Sequence, residues 1–199
     1  MPGTRNIALC LAGDHAGKRY GEISLFGKRL ADALEAIVGS SEDIRLVFVP
    51  HVHCDLELIV QVFAHLTDKT RRLRTQIAPL LHQNSAAQFI YTIYNKCDLI
   101  VSNRFHGVVV PLSMGKNVIA FCDKITKKVP SVVAKLGQQN VIFSHKDDDL
   151  KGFVEKVSNI LYCGCSTSSH SHTKDGLHDH LMETNQVFLD EIESILPKL

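Results

Sequence analysis

No long block of like charge stands in this 199-residue chain: Lys plus Arg numbers 22 against 21 for Asp plus Glu, a net charge of +1. That balance argues against a nucleic acid or a membrane surface as the main partner, so any anion site has to be local. Long apolar runs are missing too. The longest, such as Val108–Leu112 and Val118–Cys122, have the length of a strand or a core helix, far below the roughly 20 residues of a membrane span. The amino terminus, MPGTRNIALCLAGD, lacks the long apolar region of a signal peptide, which predicts a cytoplasmic protein. A disulfide framework is not expected, because the six cysteines sit mostly singly within apolar runs, as reduced and buried thiols do. Cys163 and Cys165, followed by His170, His172, His178 and His180, do not match zinc spacings, so no metal is expected. A phosphate loop is absent as well: three residues separate Gly13 from Gly17, and Arg19 follows Lys18 where Ser or Thr belongs.

What is present is alternation. Asn6–Leu11 reads as a strand, the stretch from Ala12 to Lys18 as a loop, and Leu25–Val38 as a helix with a stripe at Leu30, Ala33, Leu34 and Ile37. Ile44–Val49 is a second strand, Pro50–Cys54 a loop, and Asp55 the N-cap of a helix carrying Leu58, Ile59 and Val62. A strand at Ile77–Leu81, a helix from Ser85 through Lys96 and a strand at Leu99–Ser102 continue the rhythm. Beyond it come a short helix over Val108–Met114 closed by Gly115, a strand at Asn117–Cys122, a helix at Val129–Leu136, a strand at Val141–Phe143 and a helix from about Asp148 to Leu161. A Cys/Ser/His-rich loop at about 163–176 and a closing amphipathic helix at about 177–196 complete residues 1–199. A strand-helix period of roughly 25 residues predicts one α/β domain, its sheet mostly parallel and covered by helices on both faces.

In such a sheet, ligands sit beyond the carboxyl ends of the strands. The run CDLIVSNRFHGVVVPLSMG, Cys97–Gly115, empties a strand into Asn103, Arg104, Phe105, His106 and Gly107 just before a helix. Arg104 can fork onto a carboxylate or phosphate, His106 titrates near neutrality, and Gly107 leaves the backbone N–H approachable. Lys124, Lys127 and Lys128 follow the next strand. An anionic small molecule is the ligand these residues suggest; the plainer alternative pairs Arg104 with Asp98 or Asp123. His51 and His53 stand in the loop after the second strand, where an acceptor pocket can form.

From about Ser85 to Gly137 the chain resembles the polysaccharide pyruvyl transferase family, whose signature reads here as CDLIVSNRFHG, then PLSMGKNVIA, then Lys124 in FCDK. A weaker resemblance reaches back through VPHVHCDLELI to the first strand. It implies transfer of a pyruvyl group from phosphoenolpyruvate onto two hydroxyls of a sugar, forming a ketal in glycan biosynthesis and releasing phosphate. The resemblance casts Arg104 and His106 as catalytic and places Asn103, Phe105, Gly107, Lys124 and Lys128 with them around the donor. It implies no cofactor or metal. The expected architecture is a single Rossmann-like domain, one half of a two-domain, glycosyltransferase-B-like enzyme, completed by an amino-terminal domain or a second subunit. Two features depart from the family: Asn117 replaces the usual Pro, and no Arg stands in LCLAGD, where many relatives place one in the donor pocket. A nucleotide-sugar glycosyltransferase domain and a catalytically incomplete anion-binding domain stay as rival readings.

Overall fold

In the computed structural model, residues 4–81, 85–122, 127–135, 142–144 and 150–162 are described. By its contacts the chain divides into two units, Met1–Thr167 and Ser168–Leu199, and all described residues belong to the first. Lys124, Asp123, the loop expected at about 163–176 and the helix expected at about 177–196 lie outside the described residues.

Short runs too brief for helices, apolar except at the edge strand β3, form the strands: β1 Arg5–Cys10, β2 Ile44–Phe48, β3 Thr75–Ile77, β4 Leu99–Ser102, β5 Asn117–Cys122 and β6 Ile142–Ser144. They make one six-stranded sheet in the order β3-β2-β1-β4-β5-β6, parallel at every pairing. Parallel neighbours need crossovers, which here are helical. The helices are α1 Ala16–Tyr20, α2 Ile23–Gly39, α3 His53–His65, α4 Asp68–Leu73, α5 Ser85–Asn95, α6 Phe105–Ser113, α7 Lys128–Lys135 and α8 Lys151–Tyr162.

Alternation along each strand sorts the core into two layers. Ile7, Leu9, Leu46, Phe48, Leu99, Val101 and Phe121 face α2, α3 and α8, meeting Leu30, Leu34, Leu58, Val62 and Phe153. Ala8, Cys10, Ala120 and Cys122 face α5, α6 and α7, where Tyr94, Val108 and Val133 cover them. Burial of each large side chain stabilises the fold by about 1.5–3 kcal/mol, so the first layer is the heavier anchor. The second face mixes these small residues with Ile100 and Val118.

Five local details differ from the expectations above. The strand expected at Ile77–Leu81 lies earlier, at Thr75–Ile77, because it registers Thr75 on Leu46 and Ile77 on Phe48. It follows the unexpected α4, capped by the Thr67 hydroxyl accepting the Thr70 N–H at 3.2 Å. The loop from Ala12 to Lys18 contains the start of α1. Asp55 is the third residue of α3 rather than its N-cap, and α6 begins at Phe105, so Arg104 is itself a cap residue. No helix among the described residues is long and apolar enough to cross a membrane.

Candidate functional site

β1 and β4 are adjacent in the sheet, yet the chain leaves β1 toward β2 and leaves β4 toward β5. Connections diverging from two neighbouring strands open a crevice at their carboxyl ends, the usual ligand position in such sheets. A cleft of about 310 Å³ lies there, lined by Ala12, Asp14 and Arg19 after β1, His51 after β2, Asn103, Arg104, Phe105 and His106 after β4, and Lys128 and Val129 of α7. That volume is at the lower end of small-molecule sites.

Asp55 organises the floor. Its side chain is only 1% exposed and accepts five hydrogen bonds. Three are backbone N–H groups: Gly13 at 2.8 Å, His51 at 2.8 Å and Val52 at 3.1 Å. The bond to Val52 is half of a capping box, the third helical residue reaching back to the cap. The other two come from Arg104, whose Nε donates to Oδ2 at 3.1 Å while Nη2 donates to Oδ1. This is the fork-on-carboxylate geometry that gives Arg its directional strength. A buried carboxylate without such partners is very costly, so Asp55 and Arg104 require each other.

Arg104 Nη2 also donates to Asp14 at 3.2 Å, and Asp14 in turn accepts from Arg19 Nη2 at 2.6 Å. The guanidinium therefore pairs with Asp55 and Asp14, and not with Asp98, which accepts the Asn6 N–H at 2.7 Å. Its Nη1 makes no hydrogen bond among the described residues. Burial alone lowers the Arg104 pKa, but the hydrogen bond and charge of Asp55 outweigh it and the net shift is upward. Burial raises that of Asp14, and Arg19, with help from Arg104, more than reverses this. Three cations, Arg19, Arg104 and Lys128, thus face two carboxylates, and the cleft holds a small positive excess. Arg19 enters from α1, just past the loop expected at Ala12 to Lys18; a cation does reach the cleft from the β1 side, although LCLAGD has none.

The neighbouring residues hold this arrangement still. Asn103 is buried: its Oδ1 accepts the Ala12 N–H at 2.8 Å and its Nδ2 donates to the Tyr20 hydroxyl at 2.6 Å. Tyr20 donates to the Ala12 carbonyl at 2.8 Å, which staples the loop after β1 to the loop after β4. Gly107 is buried in the first turn of α6, and a Cβ there would collide with Ser102 Oγ and lie 3.4 Å from the Tyr94 hydroxyl. The same Oγ accepts the Arg104 N–H at 3.1 Å. Gly13 is needed for a similar reason, because a Cβ would strike the Cys54 carbonyl. Lys128 places its ammonium 4.5 Å from the centre of the Phe105 ring, a cation-π contact.

Two histidines border the cleft. Burial lowers the His106 pKa, helped by the charge of Lys128. His51 falls to about 4 through burial, with Arg104 and His106 adding to the effect against a smaller opposing pull from Asp55. Asp14, Cys54 and Asp55 bring potential metal-ligating atoms within 4.8 Å of one another. Both Asp55 oxygens already accept N–H groups, and Asp14 bridges two arginines, so the group is built as an ion-pair network.

No curated protein sequence matches the chain. Among solved structures it is similar to a candidate UDP-N-acetylglucosamine 2-epimerase from Listeria monocytogenes, at 18% identity and a TM-score of 0.56 over 83% of this chain and 38% of that one. A structure described as trehalose-6-phosphate from E. coli bound with UDP-2-fluoro glucose matches at 11% identity and a TM-score of 0.56, over 98% and 45% of the two chains. UDP-GlcNAc 2-epimerase from Neisseria meningitidis bound to UDP-GlcNAc matches at 11% identity and a TM-score of 0.52, over 94% and 45%. At these identities the likeness establishes the fold, a Rossmann-like α/β unit, and the chain spans less than half the length of these three structures. In sequence, the profile described as "Polysaccharide pyruvyl transferase" matches residues 18–121, which takes in Arg19, Asp55 and the Arg104–Gly107 turn and stops before Lys124 and Lys128. With that match running over more than half of its length, the chain belongs to the polysaccharide pyruvyl transferase family.

Proposed function

We propose that the cleft binds phosphoenolpyruvate and that this chain, completed by a second domain or subunit that contributes the sugar acceptor's contacts, transfers its pyruvyl group to two hydroxyls of a glycan. The observation that carries this reading is the placement of Arg104, forked onto buried Asp55 with Nη1 left over, at the β1/β4 crevice beside Arg19 and Lys128. Phosphoenolpyruvate carries close to three negative charges at neutral pH; Arg104, Arg19, Lys128 and the N-terminus of α6 supply positive potential for its carboxylate and phosphate. Lys124 is assigned to the same donor by the family signature alone. Asn103 and Gly107 shape the turn, and Phe105 holds Lys128.

In the reaction, C3 of the enol gains a proton, C2 becomes oxocarbenium-like, and the bond from C2 to the phosphate oxygen breaks. Two sugar hydroxyl oxygens bond to C2; one of their protons balances the proton gained at C3, and the other leaves on the phosphate. His106 is the general acid of this scheme. Its empty-cleft tendency to stay neutral is offset once a polyanion binds beside it, since a nearby negative charge favours the imidazolium. The buried cysteines Cys10, Cys97 and Cys122, present as thiols, support a reducing compartment, and we place the reaction in the cytoplasm.

Thermal shift with phosphoenolpyruvate beside UDP- and GDP-sugars tests the donor, because a ligand bound only by the folded state raises its stability. Stabilisation by phosphoenolpyruvate is expected. Stabilisation by a nucleotide sugar alone would replace this reading with that of a glycosyltransferase domain. Unchanged turnover in His106→Asn, measured in the completed enzyme, would remove His106 from the proton transfer.

A further inference from the structure

Tyr94 of α5 is 0% exposed, and its hydroxyl lies 2.8 Å from Nε2 of His51 at the wall of the cleft. The buried Cys10 thiol is the other polar group near that hydroxyl, and it neighbours Ser102 as well. A hydroxyl has one proton to give, and an imidazole nitrogen is a much stronger acceptor than sulfur. The stronger acceptor takes it, so Tyr94 O–H donates to His51 Nε2. The remaining ring proton must sit on Nδ1, which makes no hydrogen bond among the described residues. The His51 backbone is fixed as well, its N–H donating to Asp55 at 2.8 Å, so the ring is held at both ends.

We propose that His51, locked by Tyr94 as the Nδ1–H tautomer, is a neutral hydrogen-bond donor to an anionic oxygen of the ligand in the cleft, with Tyr94 as its positioning residue. The identity of that oxygen rests on the phosphoenolpyruvate reading; the tautomer does not. A neutral donor stabilises charge without adding any and without releasing its proton, as an oxyanion-hole group does. This separates the two histidines: His106 moves a proton and His51 holds one.

The test has two arms on the full chain. Imidazole ¹⁵N correlation spectra between about pH 5.5 and 7.5 should show the Nδ1–H pattern for His51 in the native protein, and a mixture with Nε2–H in Tyr94→Phe. An Nε2–H pattern in the native protein would overturn the proposal. In the second arm, phosphoenolpyruvate affinity is compared in His51→Asn, whose amide N–H stands where Nδ1–H stood, and His51→Gln, whose amide stands at Nε2. The Gln variant should bind about 10- to 100-fold more weakly than the Asn variant, the worth of one hydrogen bond to a charged group. Equal affinity would count against the proposal. If the native protein ignores phosphoenolpyruvate, the donor reading fails by itself, and the same comparison with inorganic phosphate decides the role of His51.

Discussion

Two depressions among the described residues are nearly equal in size. The cleft at the carboxyl end of β1 and β4 measures about 310 Å³, and a groove between the β2/β3 side of the sheet and α5, lined by Val47, Ile77, Ala78, Pro79, Phe89 and Ile93, measures about 320 Å³. Size does not separate them; the cost of their linings does. The cleft holds a buried carboxylate paired with one arginine, a second arginine paired with Asp14, and two imidazoles whose pKa values burial pushes down. The groove is mostly apolar surface that a folded chain leaves exposed at little expense. Chemistry belongs where the structure maintains expensive groups.

The sharpest way to break that comparison is Asp55→Ala. It strands Arg104 and three backbone N–H groups, and urea unfolding should show a loss of about 3–5 kcal/mol. A loss below about 1 kcal/mol would mean that the cleft is no more demanding than the groove. Acid should act next. His51 titrates near 4 when folded against 6.5 in the unfolded chain, so the unfolded state binds the extra proton first, and the stabilisation present above pH 6.5 is lost as pH falls toward 4. The loss from this group is roughly 3 kcal/mol. Asp14, its carboxyl lowered, works in the same direction at lower pH. His51→Asn should flatten the stability profile between pH 6.5 and 4, read by thermal melts across that range. Gly107→Ala should destabilise by about 1–3 kcal/mol, because its Cβ has to displace Ser102 from the Arg104 N–H. Ile77→Ser in the groove, at a side chain 46% exposed, should change stability by no more than about 0.5 kcal/mol.

Much of the fold was legible because its signals are local. Apolar runs such as Leu99–Ser102 are too short for helices, and Gly115, with φ of 69°, closes a turn only a glycine adopts readily. The position of the edge strand is not legible, because Thr75–Ile77 is mostly exposed while the apolar pattern lies in the residues after it. Asp55 looked like a cap since any acid at the start of an amphipathic helix does; its Arg104 partner is 49 residues away. The His51–Tyr94 bond spans 43 residues and leaves no pattern either, because Tyr94 is also a core residue of α5. Arg19 was missed for a different reason: five residues of helix turn it back into the cleft.

The ladder between β1 and β4 joins Ile7 to Leu99, and the bonds that staple the cleft, Ala12 to Asn103 and Asp14 to Arg104, close loops of comparable length. Such contacts repay their loop-closure entropy only after both ends are in place, which slows folding. On a ribosome, β1, α2 and β2 can begin to pack while the arginine that completes the cleft has yet to be synthesised. Until then Asp55 has no guanidinium to meet. In a growing chain the cleft therefore takes shape late, after the segments that carry Arg104 and then Lys128 have emerged.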